Sequence, residues 1–163
     1  MTKRLILMRH AKSDWGSPEL GDHDRPLNAR GEASAPKMAE WMQGHGYVPE
    51  LVLCSTAVRT QQTIERMLPC WKSEVAVYPT RDLYLASPED MLRTVRSDAL
   101  DVDSVMVLAH NPGLEMLVER FSGTMLAFPT AAVAVFDCQI ERWSELNASV
   151  DCECLVIQRP KGL

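Results

Sequence analysis

Short, nearly unbroken apolar runs alternate along the chain with longer stretches in which apolar residues recur every three or four positions. The runs Leu5–Met8, Leu51–Cys54, Glu74–Val77 and Ser104–Ala109 predict β-strands, and Ala132–Asp137 and Cys154–Gln158 predict two later ones. "SVMVLAH" shows no polar alternation, as expected of a strand covered on both faces. Helices are predicted in between. Asn28 is the expected N-cap of one that carries Met38, Trp41 and Met42 on a single face and ends near "GHG". Pro36 falls inside it and predicts a kink, or a restart capped by Ser34. The next helix follows "CST", with Ser55 or Thr56 as cap and Pro69 beyond its end. A third covers about Pro88–Ser97, and a fourth begins at "NPG", with Asn111 as cap and Pro112 in the first helical position. Strands alternating with helices, and no linker, repeat or low-complexity tract, predict one compact layered α/β domain over residues 1–163.

Charge and composition narrow the functional classes. Apolar residues make up 46% of the chain, but no run approaches the roughly 18 of a membrane span. The start, "MTKRLILMRH", has no small-residue cleavage site, so no signal peptide is expected. With 22 acidic and 17 basic residues the formal net charge is −5, which argues against steering towards nucleic acid or an anionic membrane. Any anion site must be built locally from a few cations. The cysteines (Cys54, Cys70, Cys138, Cys152, Cys154) are odd in number and lack framework spacing, predicting reduced thiols and a cytoplasmic protein. "DCEC" puts Cys152 and Cys154 on one strand face, but a closed zinc site wants four ligands, so no metal is expected.

Against this ordinary background stands "LILMRHAKSDW", where Arg9 and His10 directly follow an apolar strand. His110 follows "VMVLA" in the same way. Parallel strands present their C-terminal ends along one sheet edge, where ligands bind, so the two imidazoles are expected together. Arg59 lies in the first turn of the helix after "CST", where a cation is disfavoured unless an anion sits beside it. Two arginines and two histidines around one anion point to phosphate chemistry with a histidine nucleophile, and neither a P-loop nor an aspartate-rich metal motif is present. His23 and His45 read as ordinary loop residues, His45 at a helix end between glycines.

These segments together resemble the histidine phosphatase superfamily, which includes the cofactor-dependent phosphoglycerate mutases. "LMRHAKSDW" is similar to its signature R-H-G-x-S-x-W, with Ala11 in place of the glycine. "CSTAVRTQQT" resembles the motif S-x-x-x-R-x-x-x-T, and "VLAHNPG" the strand that ends in histidine. The order, the spacing, the short chain and "DRPLNARG" look most like the SixA-type phosphohistidine phosphatases. The resemblance runs from residue 4 to about 114. It implies a phosphoglycerate mutase-like fold, three layers with a mixed, mainly parallel sheet between helices. It implies His10 as the phosphorylated nucleophile, with Arg9, Arg59 and His110 completing the phosphate pocket and His110 cationic when phosphate is bound. Arg25 is implied at the mouth, against substrate.

Two departures bear on the substrate. Mutase-like members follow the tryptophan with a phosphate-holding asparagine, where this chain has Gly16. They also carry a glutamate general acid in a region that here reads "RDLYLASPED", with Leu85 at about its position and Asp82 or Glu89 able to replace it only through a shifted loop. Expelling an alkoxide needs a proton donor worth about 10²–10⁴ in rate, whereas imidazole can leave neutral. The expected activity is therefore metal-independent hydrolysis of phosphohistidine on a protein partner, with no cofactor. The alternatives are a small-molecule phosphomonoesterase of the same superfamily and a non-catalytic phosphate-binding module. For turnover, His10 is expected to attack as the neutral ring and His110 to act protonated, giving a bell-shaped rate profile between mildly acidic and neutral pH.

Overall fold

A computed structural model describes all 163 residues. Its centre is a six-stranded sheet of β1 (Lys3–Arg9), β2 (Leu51–Ser55), β3 (Ala76–Thr80), β4 (Ser104–Ala109), β5 (Val133–Cys138) and β6 (Cys152–Gln158), in the order β3-β2-β4-β1-β5-β6. The first four strands run parallel and β5 is antiparallel to both of its neighbours. The helices are α1 (Ala29–His45), α2 (Val58–Met67), α3 (Pro88–Asp98) and α4 (Gly113–Ser122). No helix is long and apolar enough to cross a membrane.

The two-residue period of a strand divides the core. Leu5 and Leu7 of β1 join Val105 and Val107 of β4 against α3 and α4, where Leu92, Val95, Leu117 and Phe121 are buried. Ile6 and Met8 join Met106 and Leu108 against α1 and α2, with Met38, Met42, Ile64 and Met67. The sheet is thus covered on both faces, which explains why its central strands read as continuous apolar runs. This is the three-layer, mixed and mainly parallel arrangement expected.

Several local expectations are corrected. The third strand is not Glu74–Val77 but Ala76–Thr80, running through Pro79; it is an edge strand, paired only with β2, and an edge tolerates proline. α1 continues without a break through Pro36, and Ser34 does not cap a restart, its hydroxyl donating back to Gly31 O instead. The buried Ala35, Met38, Ala39 and Met42, with the Trp71 indole on Ala39 O at 3.0 Å, hold the helix on both sides of the proline. Its predicted cap holds, Asn28 Oδ1 accepting from Gly31 N at 2.9 Å. Neither Ser55 nor Thr56 caps α2, whose N-cap position is Ala57. Asn111 does not cap α4 either; Pro112 takes the N-cap place, and the Asn111 amide donates to Phe128 O and Glu115 Oε2. In these cases the polar side chain is turned away from the helix by a tertiary partner. β6 begins at Cys152, two residues early, and Cys152 and Cys154 share the face that packs on the α3/α4 core.

Candidate active site

Register places the two histidines. β1 and β4 pair in parallel with Arg9 opposite Ala109, so the next residue of each strand, His10 and His110, emerges at the same edge. His10 N donates to Ala109 O at 3.2 Å, and the ring centroids lie 5.3 Å apart. β2 ends beside them, and the turn after it carries Arg59 in from α2. Arg9, His10, Arg25, Arg59 and His110, the residues singled out in the sequence, all line one pocket of about 220 Å³.

His10 is set up as a neutral ring with one nitrogen free. Its Nδ1 lies 2.7 Å from the Ala11 carbonyl, which can only accept, so Nδ1 carries the proton. Nε2 is left with its lone pair towards the pocket, where Arg59 Nε donates to it at 3.3 Å. Burial, aided by Arg59, Arg9 and Arg25, pushes the pKa of His10 down to about 3. The Ala11 backbone is itself fixed, its N–H donating to Thr63 Oγ1 at 3.0 Å while Thr63 donates to Arg59 O at 2.7 Å. One threonine thereby ties the loop after β1 to the helix that bears the arginine.

Arg59 is 2% exposed and is held on three sides. Besides His10, its Nη2 donates to His110 Nδ1 at 3.3 Å and to Asp22 Oδ2 at 3.1 Å, and its Nη1 to Asp22 O at 2.7 Å. With Nδ1 accepting, His110 Nε2 carries its proton and faces Ser55 Oγ at 2.8 Å. His110 is therefore also neutral; burial, together with the neighbouring His10 and Arg59, lowers its pKa to about 3. The cationic His110 expected from the sequence is a state that needs an added negative charge in the pocket.

Arg25 is buried and donates to Ser13 Oγ at 2.7 Å and to Asp22 Oδ1, with the exposed Trp15 ring 3.5 Å from its guanidinium carbon. Arg9 has a single long bond, Nη1 to Phe128 O at 3.4 Å, which leaves most of its donors without a protein acceptor. Asp22, from the turn Asp22–Asp24, was not singled out in the sequence and had no signal there beyond its nearness to Arg25. It receives bonds from Arg59, Arg25 and the Tyr84 hydroxyl. Partial burial opposes ionisation, but the Tyr84 bond and the two arginines prevail and hold its carboxyl at about 2. Counting Arg9, Lys12, Arg25 and Arg59 against Asp22, the pocket presents a net positive charge suited to a phosphoryl dianion.

The expected general-acid position holds no acid. Leu85 lines the pocket, 55% exposed and at φ 50°. Asp82 and Glu89 lie outside it, and Glu89 is engaged by Arg96 at 2.7 Å. Asp22 is the sole carboxylate on the lining, and it is ionised. His23 is more than a loop residue: half-buried, it bonds Thr56 Oγ1 at 2.9 Å and meets the Tyr84 ring edge-on at 4.8 Å, bracing the turn that carries Asp22. His45 ends α1, with Nδ1 on Trp41 O at 2.9 Å.

Two buried neutral histidines make stability depend on pH. Their folded values, near 3, lie below the unfolded value of about 6.5, so the unfolded chain takes up protons first as pH falls. Stability is complete above about pH 6.5 and is lost on acidification, by about 2 kcal/mol per histidine at pH 5. Urea denaturation at pH 7.5 and 5 should show this loss, and His110→Asn should remove about half of it. Equal stability of the native protein at both pH values would mean the rings are already protonated in the fold.

Comparison with known proteins gives a consistent picture. Residues 5–83 match the model of the histidine phosphatase superfamily (branch 1). An uncharacterised chloroplastic protein of Arabidopsis thaliana is 32% identical over 157 residues, covering 91% of this chain and 72% of its own. The phosphohistidine phosphatase SixA of Escherichia coli is 30% identical over 139 residues, 80% of this chain and 83% of its own. A crystal structure assigned as a phosphohistidine phosphatase SixA from Agrobacterium tumefaciens superimposes with a TM-score of 0.82 at 29% identity, covering 98% of this chain and 99% of that one.

Proposed function

The chain belongs to the histidine phosphatase superfamily, and from that premise we propose that it removes the phosphoryl group from phosphohistidine on a protein partner, in the cytoplasm, through a phospho-His10 intermediate. The observation that carries the choice of substrate is the lining of the pocket: a leucine where a proton donor is expected, and one carboxylate that is already ionised.

The proposed chemistry needs no carboxylic acid in either half. Substrate phosphohistidine with its second ring nitrogen protonated is attacked at phosphorus by His10 Nε2. The new N–P bond forms as the old one breaks, and the substrate leaves as a neutral imidazole. The Ala11 carbonyl keeps the proton on His10 Nδ1, so phospho-His10 is in turn a protonated ring. Water then attacks it, giving dihydrogen phosphate and returning neutral His10. Arg59, Arg9 and Arg25 bind the equatorial oxygens through the transfer, and the added charge draws a proton onto His110.

A phosphomonoester lacks this route, because its alkoxide must be protonated as it leaves. The test is phosphate release, without added metal, from a histidine-phosphorylated protein and from glycerol phosphate, by the native chain and by Leu85→Glu. The native chain should act on the phosphohistidine and hardly on the ester. The glutamate should raise ester hydrolysis about 10²-fold and change the phosphohistidine rate less than about threefold. Native turnover of the ester at a rate rivalling phosphohistidine would replace this reading with that of a small-molecule phosphomonoesterase. Binding of phosphate with no turnover of either substrate would leave a recognition module.

A further inference from the structure

Beside the catalytic pocket lies a second cleft, of about 280 Å³, which shares Lys12 and Thr130 with it. Arg30 and Ser34 of α1 form one wall, and Arg159 and Lys161 beyond β6 form another. No carboxylate lines it, and Pro129 and Pro160 are the apolar side chains between the cations. None of the four cations takes part in an ion pair, although the chain as a whole has 22 acidic residues and a net charge of −5.

The fold brings these cations together from distant parts of the sequence. Asn28 N donates to Lys12 O at 3.0 Å, and a Cβ on Gly31 would fall 2.1 Å from that same oxygen. Glycine thus lets α1 press onto the loop after His10, which sets Arg30 beside Lys12. The turn Pro160–Gly162 packs on α1, and Arg159 is tethered by one bond to Ala127 O at 3.2 Å. Within the catalytic pocket Arg25 and Arg59 are buried and converge on one point, whereas Lys12, Arg30, Arg159 and Lys161 are all exposed and spread along an open trough. A second phosphate would call for convergent, desolvated donors. A trough of solvated cations with no carboxylate among them fits a row of carboxylates.

We infer that this cleft is the docking subsite for an acidic segment of the phosphorylated protein, lying next to the phosphohistidine that enters the catalytic pocket. The inference rests on the proposed protein substrate. The Arg30 and Arg159 side chains then select among partners by long-range attraction and lower KM, leaving the chemical step to the pocket.

The experiment uses two synthetic peptides, each with one phosphohistidine, flanked by glutamates in one and by glutamines in the other. The native chain should hydrolyse the acidic peptide with kcat/KM about tenfold higher, mostly through KM, and salt should erode the difference. In Arg30→Gln/Arg159→Gln the preference should fall below about twofold, with the glutamine peptide hydrolysed as before. No preference in the native chain, or one that survives the double substitution, overturns the inference while the proposed function stands. Failure to hydrolyse either peptide removes the proposed function instead. In that event, binding of the unphosphorylated peptides still reads the cleft: tighter binding of the acidic one, lost in the double variant, supports it, and equal binding overturns it. Inhibition by pyrophosphate that weakens in the double variant, without peptide preference, assigns the cleft to a second phosphate and also overturns it.

Discussion

His10→Ala is expected to lower phosphate release from phosphohistidine by at least about 10⁴-fold, with the fold intact. A loss of this size follows from removing a covalent route altogether, since the other pocket groups then act only as binders. The nearest imidazole, His110, carries its proton on Nε2, which faces Ser55, and its Nδ1 takes an Arg59 bond as His10 Nε2 does. The alanine variant therefore also asks whether His110 can stand in, and a phosphoramidate trapped there would show that it can. The fold should survive because the His10 ring lines the pocket, so its removal enlarges an existing cavity, and the ties lost are its bond to the adjacent Ala11 carbonyl and its contact with Arg59. Rapid acid-free quenching of the native enzyme should trap a phosphoramidate on His10 Nε2, stable in alkali and labile in acid, and the alanine variant should trap none. Thermal unfolding of the variant within a few degrees of the native midpoint would exclude misfolding as the cause. Residual turnover above about 1%, with nothing trapped on His110, would mean that water attacks the substrate directly, and the two-step scheme would be withdrawn.

The parts of this architecture that were legible in the sequence are those set by short-range regularity. Three apolar runs marked the parallel strands β1, β2 and β4 because both faces of the sheet are covered there, and the pairing of Arg9 with Ala109 turned two strand-end histidines into neighbours. Cap assignments at Ser55, Thr56 and Asn111 misread the chemistry for a single reason. A small polar side chain before a helix satisfies either the helix N–H groups or a partner brought in by the fold, and here His110, His23 and Phe128 O took precedence. Asp22 could not be read at all. Its role depends on a turn folding back over α2 and on Tyr84 arriving from beyond β3, contacts that no local pattern encodes. The strand through Pro79 was misplaced because apolarity reports burial, whereas an edge strand is defined by pairing and is largely exposed.

Arg59 should be nearly as sensitive as the nucleophile, and in an informative way. Arg59→Ala is expected to reduce kcat/KM by about 10³-fold, in the range seen when a preorganised donor to a transferring phosphoryl group is lost. Arg59→Lys should recover no more than about tenfold of that. The guanidinium bonds His10 Nε2, His110 Nδ1 and both a backbone and a side-chain oxygen of Asp22 at once, and a single ammonium cannot span those directions. A pH signature separates this from a simple loss of positive charge. Arg59 helps to keep the pKa of His10 low, after burial itself, so its removal lets His10 take up a proton more readily. The acid limb of kcat/KM should then move to higher pH in the alanine variant, because the protonated ring cannot attack. In the lysine variant, which keeps the charge, the limb should stay near its native position although the rate remains low. A lysine variant restored to within about threefold of native would show that charge alone suffices. The contact between Arg59 and the attacking nitrogen would then have to be read as packing, not alignment.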